Sequence, residues 1–187
     1  MTVTSAYPTP PGSGNVYSRS FLEKLFPLDD SCGDATDSAC LAAAPYLGDV
    51  LTVPRPLVRY RVHGNNRSSL LAEPGRFTRQ IERAIQRNSF ARQISGEADD
   101  SDPARALVPL RRGRHLLQMR VAEHRLCAGR PPIATDTWRQ LLWDSVADVL
   151  APGPEPVSHR LAVSMWCLAT LVAPRPLARR LAHQRFL

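Results

Sequence analysis

Residues 11–66 read PGSGNVYSRSFLEKLFPLDDSCGDATDSACLAAAPYLGDVLTVPRPLVRYRVHGNN. The Pro/Gly/Ser stretch from Thr9 to Gly14 is a loop. Ser20 and Glu23 have the spacing of a capping box, which predicts a helix from Ser20 to about Pro27. Residues 28–35 form a polar loop, and a second helix is expected over Thr36–Leu47, with Gly48 at the position of a terminating glycine. Two short strand-like runs follow, Asp49–Val53 and Leu57–Val62, separated by Pro54-Arg55-Pro56, which forbids one continuous strand.

Outward from this stretch the period becomes helical. Phe77, Ile81 and Ile85 recur four residues apart, with Arg79, Glu82, Arg83 and Arg87 between them, from about residue 73. Residues 95–104 are an acidic linker. Helical stretches are expected over 105–127, 135–149 and 158–173, with Pro174-Arg175-Pro176 separating the last from a short basic end. The fold class expected from these elements is α+β and mostly helical. Residues 1–10 are a disordered N-terminus, 11–70 a small mixed portion and 71–187 a helical basic tail.

The chain has 187 residues, 43% hydrophobic and 22% charged, which suits one globular unit and excludes an intrinsically disordered chain. Its net charge of +7 is unevenly placed: residues 105–187 carry thirteen basic and five acidic side chains, a net of +8. Lys24 is the single lysine, and the other basic residues are arginine, which suits phosphate or carboxylate recognition. No helix-turn-helix and no interleaving of aromatic with basic residues stands out, so nucleic acid is not an expected partner. Cys32, Cys40, Cys127 and Cys167 include no CxxC pair, which argues against a zinc site and for reduced thiols in a cytosolic protein. The N-terminus lacks the basic and apolar regions of a signal peptide.

Three elements in order carry a resemblance: Gly12-Ser13-Gly14-Asn15 entering a helix, Asp37 opening the next helix ahead of Pro45-Tyr46-Leu47-Gly48, and Tyr60-Arg61-Val62-His63-Gly64 at the end of a strand-like run. This pattern resembles the acceptor-side, C-terminal half of the family 2 glycosyltransferases, which have the GT-A fold. The resemblance implies a partial GT-A half of two helices and two short strands. It implies inverting transfer of a sugar from a nucleotide sugar to a glycan or lipid acceptor hydroxyl, assisted in the full family domain by Mg or Mn.

Asp37 is then the candidate general base, since a carboxylate within hydrogen-bond reach takes the proton of the attacking hydroxyl. The plain alternative is that it caps its helix. Asp34, in the preceding loop, reads as a loop or capping residue. Gly14 and Asn15 would shape the acceptor floor or make an ordinary turn. Arg19 and Arg61 would contact phosphates or pair with Asp29 and Asp30. His63 would lie near the metal and diphosphate, and is a metal-ligand candidate; otherwise it ends a strand. No Asp-x-Asp lies ahead of Gly14, and Asp99-Asp100-Ser101-Asp102 sits in the linker. The nucleotide-sugar-binding half is therefore expected to be missing, with no metal held and no sugar transferred by these residues alone. The competing class is a non-catalytic helical protein that binds membrane or nucleic acid through its basic tail.

Leu161–Ala173 contains only Ser164 and Thr170 as polar residues and no acid follows Glu155. As helix it spans about 20 Å, short of a ~30 Å hydrocarbon core. Two readings fit: residues 157–187 lie against an anionic membrane from the cytoplasmic side, or the run is buried in the tail's own core.

Overall fold

A computed structural model describes residues 14–28, 36–53, 55–59, 61, 75–96, 113–151 and 155–186. Seven helices form among them: α1 (Arg19–Leu25), α2 (Thr36–Leu47), α3 (Gly75–Ser95), α4 (Arg114–Leu126), α5 (Trp138–Leu150), α6 (Val157–Val172) and α7 (Arg175–Phe186). No strand occurs among the described residues, so the class is all-α there and the expected α+β class with a two-stranded GT-A fragment is corrected.

The failure of the strands has a local cause. Residues 49–53, 55–59 and 61 have no ladder, and the Arg55 N–H donates to the Val53 carbonyl at 2.8 Å in a tight turn. Pro54 and Pro56 bring no N–H to a ladder, and an isolated strand pair is at best marginal in water without a third strand or a helix over its face. Leu51, Val53, Leu57 and Val58 accordingly remain more than half exposed.

The first helix also starts earlier than the capping-box reading has it. Ser18, not Ser20, is the N-cap, and its hydroxyl accepts from the Phe21 N–H at 3.2 Å. Phe21 and Leu25 of α1 meet Ala39, Cys40 and Ala43 of α2 and Phe90 of α3 in a small N-terminal core. The small side chains of α2 let its neighbours approach closely.

α3 is 21 residues and about 30 Å long. Its C-terminal half supplies Phe90 to the N-terminal core, while its first half puts Phe77, Ile81 and Ala84 against Leu116, Met119 and Ala122 of α4, Ile133 and Ala182 of α7. Gly96, at φ +75°, ends it in the left-handed conformation that glycine adopts without strain.

The C-terminal helices pack around α4, which is buried continuously from Leu116 to Glu123. Leu117 and Val121 meet Leu141 of α5 and Val163, Cys167 and Leu171 of α6. Arg175 and Pro176, read from sequence as part of a separator, instead open a full helix with the basic end that follows, Arg175–Phe186, because Pro176 falls in its first turn, where a backbone N–H has no intrahelical acceptor. α6 is neither wholly buried nor wholly free: Val163, Ser164, Cys167, Thr170 and Leu171 face inward, while Met165 and Val172 are about two-thirds exposed. No described helix is long and apolar enough to cross a membrane.

Candidate functional site

Asp37 lies in the first turn of α2 and is exposed. Its Oδ1 accepts from the Ser38 N–H at 2.8 Å. That bond satisfies one of the orphan donors of the helix start, so the capping role expected of an N-terminal carboxylate is filled. It does not occupy the whole carboxylate, which has two oxygens and about four acceptor positions.

Across from α2, the half-buried Arg87 of α3 feels the Asp37 charge. Burial lowers the pKa of Arg87, Asp37 opposes that lowering, and Arg83, one turn back on α3, adds to it. His115 at the start of α4 is held below the ordinary histidine range by burial, then by Arg185 and Arg87. The cation that feels the charge of Asp37 is thus Arg87 of α3. Such a pairing can take a proton from a hydroxyl and hold an anionic group beside it.

Gly14 and Asn15 lie just ahead of α1, half-buried, and Arg19 is exposed in its first turn. Arg61 is exposed. His63, Asp34, Asp29, Asp30, Asp99, Asp100 and Asp102 lie outside the described residues. A shared concavity for Asp37 and His63 therefore lies outside what the described residues address. Among the described residues no three His, Cys, Asp or Glu side chains gather closely enough to hold a metal ion. The three described cysteines are poor nucleophiles: burial pushes the Cys167 thiol up to about 12 and raises that of Cys127, and Cys40 is buried.

A second polar cluster escaped the sequence reading. Arg120 of α4 is fully buried and donates from Nε to Asp136 Oδ2 at 2.8 Å, from Nη2 to Asp136 Oδ1 at 2.5 Å, and from Nη2 to Asp144 Oδ2 at 2.7 Å. Burial works to lower its pKa, but the bonds and charges of Asp136 and then Asp144 prevail and raise it. One turn and a half earlier, Arg114 binds Asp148 at 3.1 Å and also Glu155. These pairs supply the partners that the buried Arg120, Asp136, Arg114 and Asp148 require, and Glu155 alone among their members is substantially exposed. A signal was present in the sequence, since Arg120 lies four residues after Leu116 and so falls on the apolar stripe. Arg87 gave no comparable signal, because its charge interaction with Asp37 depends on how α2 lies on α3.

Comparison with known proteins is sparse. The chain is 36% identical over 63 residues to an uncharacterized glycosyltransferase of Nostoc sp. (strain PCC 7120), a match covering 33% of this chain and 20% of that protein. This weak, partial likeness suggests a glycosyltransferase relationship. The matched stretch spans about a fifth of the relative's length. No family model matches, and no solved structure matches.

Proposed function

We propose that residues 11–70 are the acceptor-side part of a family 2 glycosyltransferase, acting in inverting transfer of a sugar from a nucleotide sugar to an acceptor hydroxyl. The observation that carries this reading is the exposed Asp37 carboxylate in the first turn of α2, set before Arg87. It supports the reading because it comes with the ordered motifs of residues 12–64 and with the partial likeness to a glycosyltransferase. Asp37 takes the acceptor proton as the hydroxyl attacks the anomeric carbon. Arg87 holds an anionic group of the acceptor or of the departing diphosphate. Gly14 and Asn15 shape the approach to Asp37, and Arg19, Arg61 and His63 contribute on the phosphate side.

The 187 residues carry no Asp-x-Asp ahead of Gly14. Transfer therefore needs a nucleotide-sugar-binding polypeptide in addition to these residues. The test is release of nucleoside diphosphate by this chain, first alone and then with such a polypeptide added. Turnover is expected only in the second case, and Asp37→Asn should lower it roughly 10²–10⁴-fold while Asp34→Asn leaves it intact. Full turnover by the Asp37→Asn variant would remove the base assignment, and turnover by the chain alone would remove the division of labour.

A further inference from the structure

The surface of the C-terminal helices is unusual in two independent respects. The first is an apolar face. From Leu161 to Pro174 no residue is charged, although one side of α6 faces solvent. Leu161, Met165 and Val172 are 44%, 68% and 67% exposed on that side. α5 runs antiparallel beside α6, as the Arg160 bonds to the Val149 and Ala151 carbonyls near one end fix. Its own outward face brings Trp143, Val146 and Leu150, 68%, 48% and 84% exposed, alongside. Helical spacing sets Trp143, Val146 and Leu150 on one line and Leu161, Met165 and Val172 on the next. Scattered single apolar residues need no explanation, but two adjoining helical stripes do.

The second is the distribution of charge. All five acids between residues 113 and 186 are turned inward or tied down. Asp136 and Asp144 bind Arg120, Asp148 and Glu155 bind Arg114, and Glu123 is 4% exposed. Five arginines, by contrast, stand outward: Arg130, Arg139, Arg175, Arg179 and Arg180 are exposed, while Arg114 and Arg120 are buried in pairs. Arg139 precedes Trp143 by one turn, and Arg175 and Arg179 follow Val172 on α7, so cations gather at the end of the apolar face where α5 begins and α6 ends. The exterior of these helices is thus apolar, neutral-polar or cationic, apart from the partly exposed Glu155, which is bound to Arg114.

We propose that the α5–α6 face, with the arginines of α5 and α7 at its rim, docks on a membrane surface rich in anionic lipid. The charge pattern selects this occupant. A second copy laid face to face would oppose arginine to arginine, and the most exposed of these acids, Glu155, is already bound to Arg114. A nucleic acid would meet the arginines but would leave six apolar side chains facing phosphates and water. An acidic lipid surface receives both parts, the apolar side chains at the headgroup boundary and the guanidinium groups on the phosphates. Trp143 suits that boundary, having an apolar body and one N–H donor. This inference does not depend on the glycosyltransferase reading, and failure of either leaves the other standing.

The experiment is co-sedimentation of the whole chain with phosphatidylcholine vesicles, with and without phosphatidylglycerol, at low and high salt. Binding to the anionic vesicles is expected, weaker at high salt because ionic screening acts within about 10 Å at 0.1 M. Changing Arg179 and Arg180 together to Ala should weaken it about thirtyfold, at about fivefold for each arginine near the surface. Trp143→Asp and Met165→Asp should each abolish it with the melting temperature unchanged, since both side chains already face solvent. No binding to anionic vesicles, or undiminished binding by the two aspartate variants, overturns the proposal. So does a solution dimer, or a complex with a DNA duplex, that those variants disrupt when vesicles do not bind.

Discussion

The N-terminal and C-terminal parts of this protein are built to different standards. The α1–α2 pair closes over a core of six residues, one of them lent by α3, and then runs into the exposed apolar residues of 49–58. The helices from α4 to α7 share two cores, one of eight buried residues built together with α3 and one of six, around a helix buried continuously from Leu116 to Glu123, and lock their buried charges into pairs. The first part carries the resemblance to glycosyltransferases, and the second carries the buried ion pairs. Recognisable motifs and a self-sufficient core are thus separable properties here. An active site needs only a few placed side chains, whereas stability needs area removed from water.

The largest test of that contrast removes Arg120. Arg120→Met leaves Asp136 buried without its cation, and should destabilise the protein by about 3–5 kcal/mol. Urea unfolding would measure this, and hydrogen exchange should show protection falling in both parts, since the N-terminal pair leans on α3. Replacing Arg120, Asp136 and Asp144 together with apolar residues should restore much of the loss. A loss under about 1 kcal/mol for the single change would mean that the pairs are open to water.

A sharper and smaller change is Phe90→Ala. Phe90 is 7% exposed and belongs to the N-terminal core alone. About 3 kcal/mol should be lost, confined to the α1–α2 pair. Exchange protection over residues 36–47 should vanish while that over 114–186 persists. Equal loss in both would show the two parts to be one cooperative unit.

The smallest effect concerns pH. Burial, and then the charge of Asp136, raises the pKa of Glu123, against the hydroxyl of Thr78. A carboxyl whose folded pKa lies above its unfolded one contributes stability below the unfolded value and loses it as pH rises through the folded one. Asp148 shifts in the same direction, by burial first, although Arg114 opposes it. Glu123→Gln keeps an acceptor for Thr78 and removes the charge. Its urea midpoint should therefore exceed that of the parent chain at pH 7 and match it at pH 3. A lower midpoint at pH 7 would mean that the ionised form is the one the fold prefers.

Much of the helical layout was legible in the sequence because it rests on local rules. Thr36–Leu47 shows a polar start and a glycine stop, and Phe77, Ile81 and Ile85 repeat at helical spacing. The errors have definite causes. Ser20 and Glu23 match a capping box, but Arg19 is already helical and Ser18 takes the cap. The runs at 49–53 and 57–62 have the composition of strands, yet a strand exists only with a partner, which no local pattern reveals. Position 37 could be placed at a helix start from sequence alone. The approach of Arg87 to it could not, and neither could the enclosure of Arg120 by Asp136 and Asp144, which lie 16 and 24 residues away.

α3 has a practical consequence for anyone dividing this chain. It is a party wall, finished on both sides. A fragment starting near residue 97 would strip Phe77 and Ile81 from the face of α4 and leave a wet groove there. A fragment ending near residue 74 would leave Ala39, Cys40 and Ala43 without the ring of Phe90. Workable fragments must overlap, each keeping residues 75–96, so the least misleading pieces of this protein are two that share a helix.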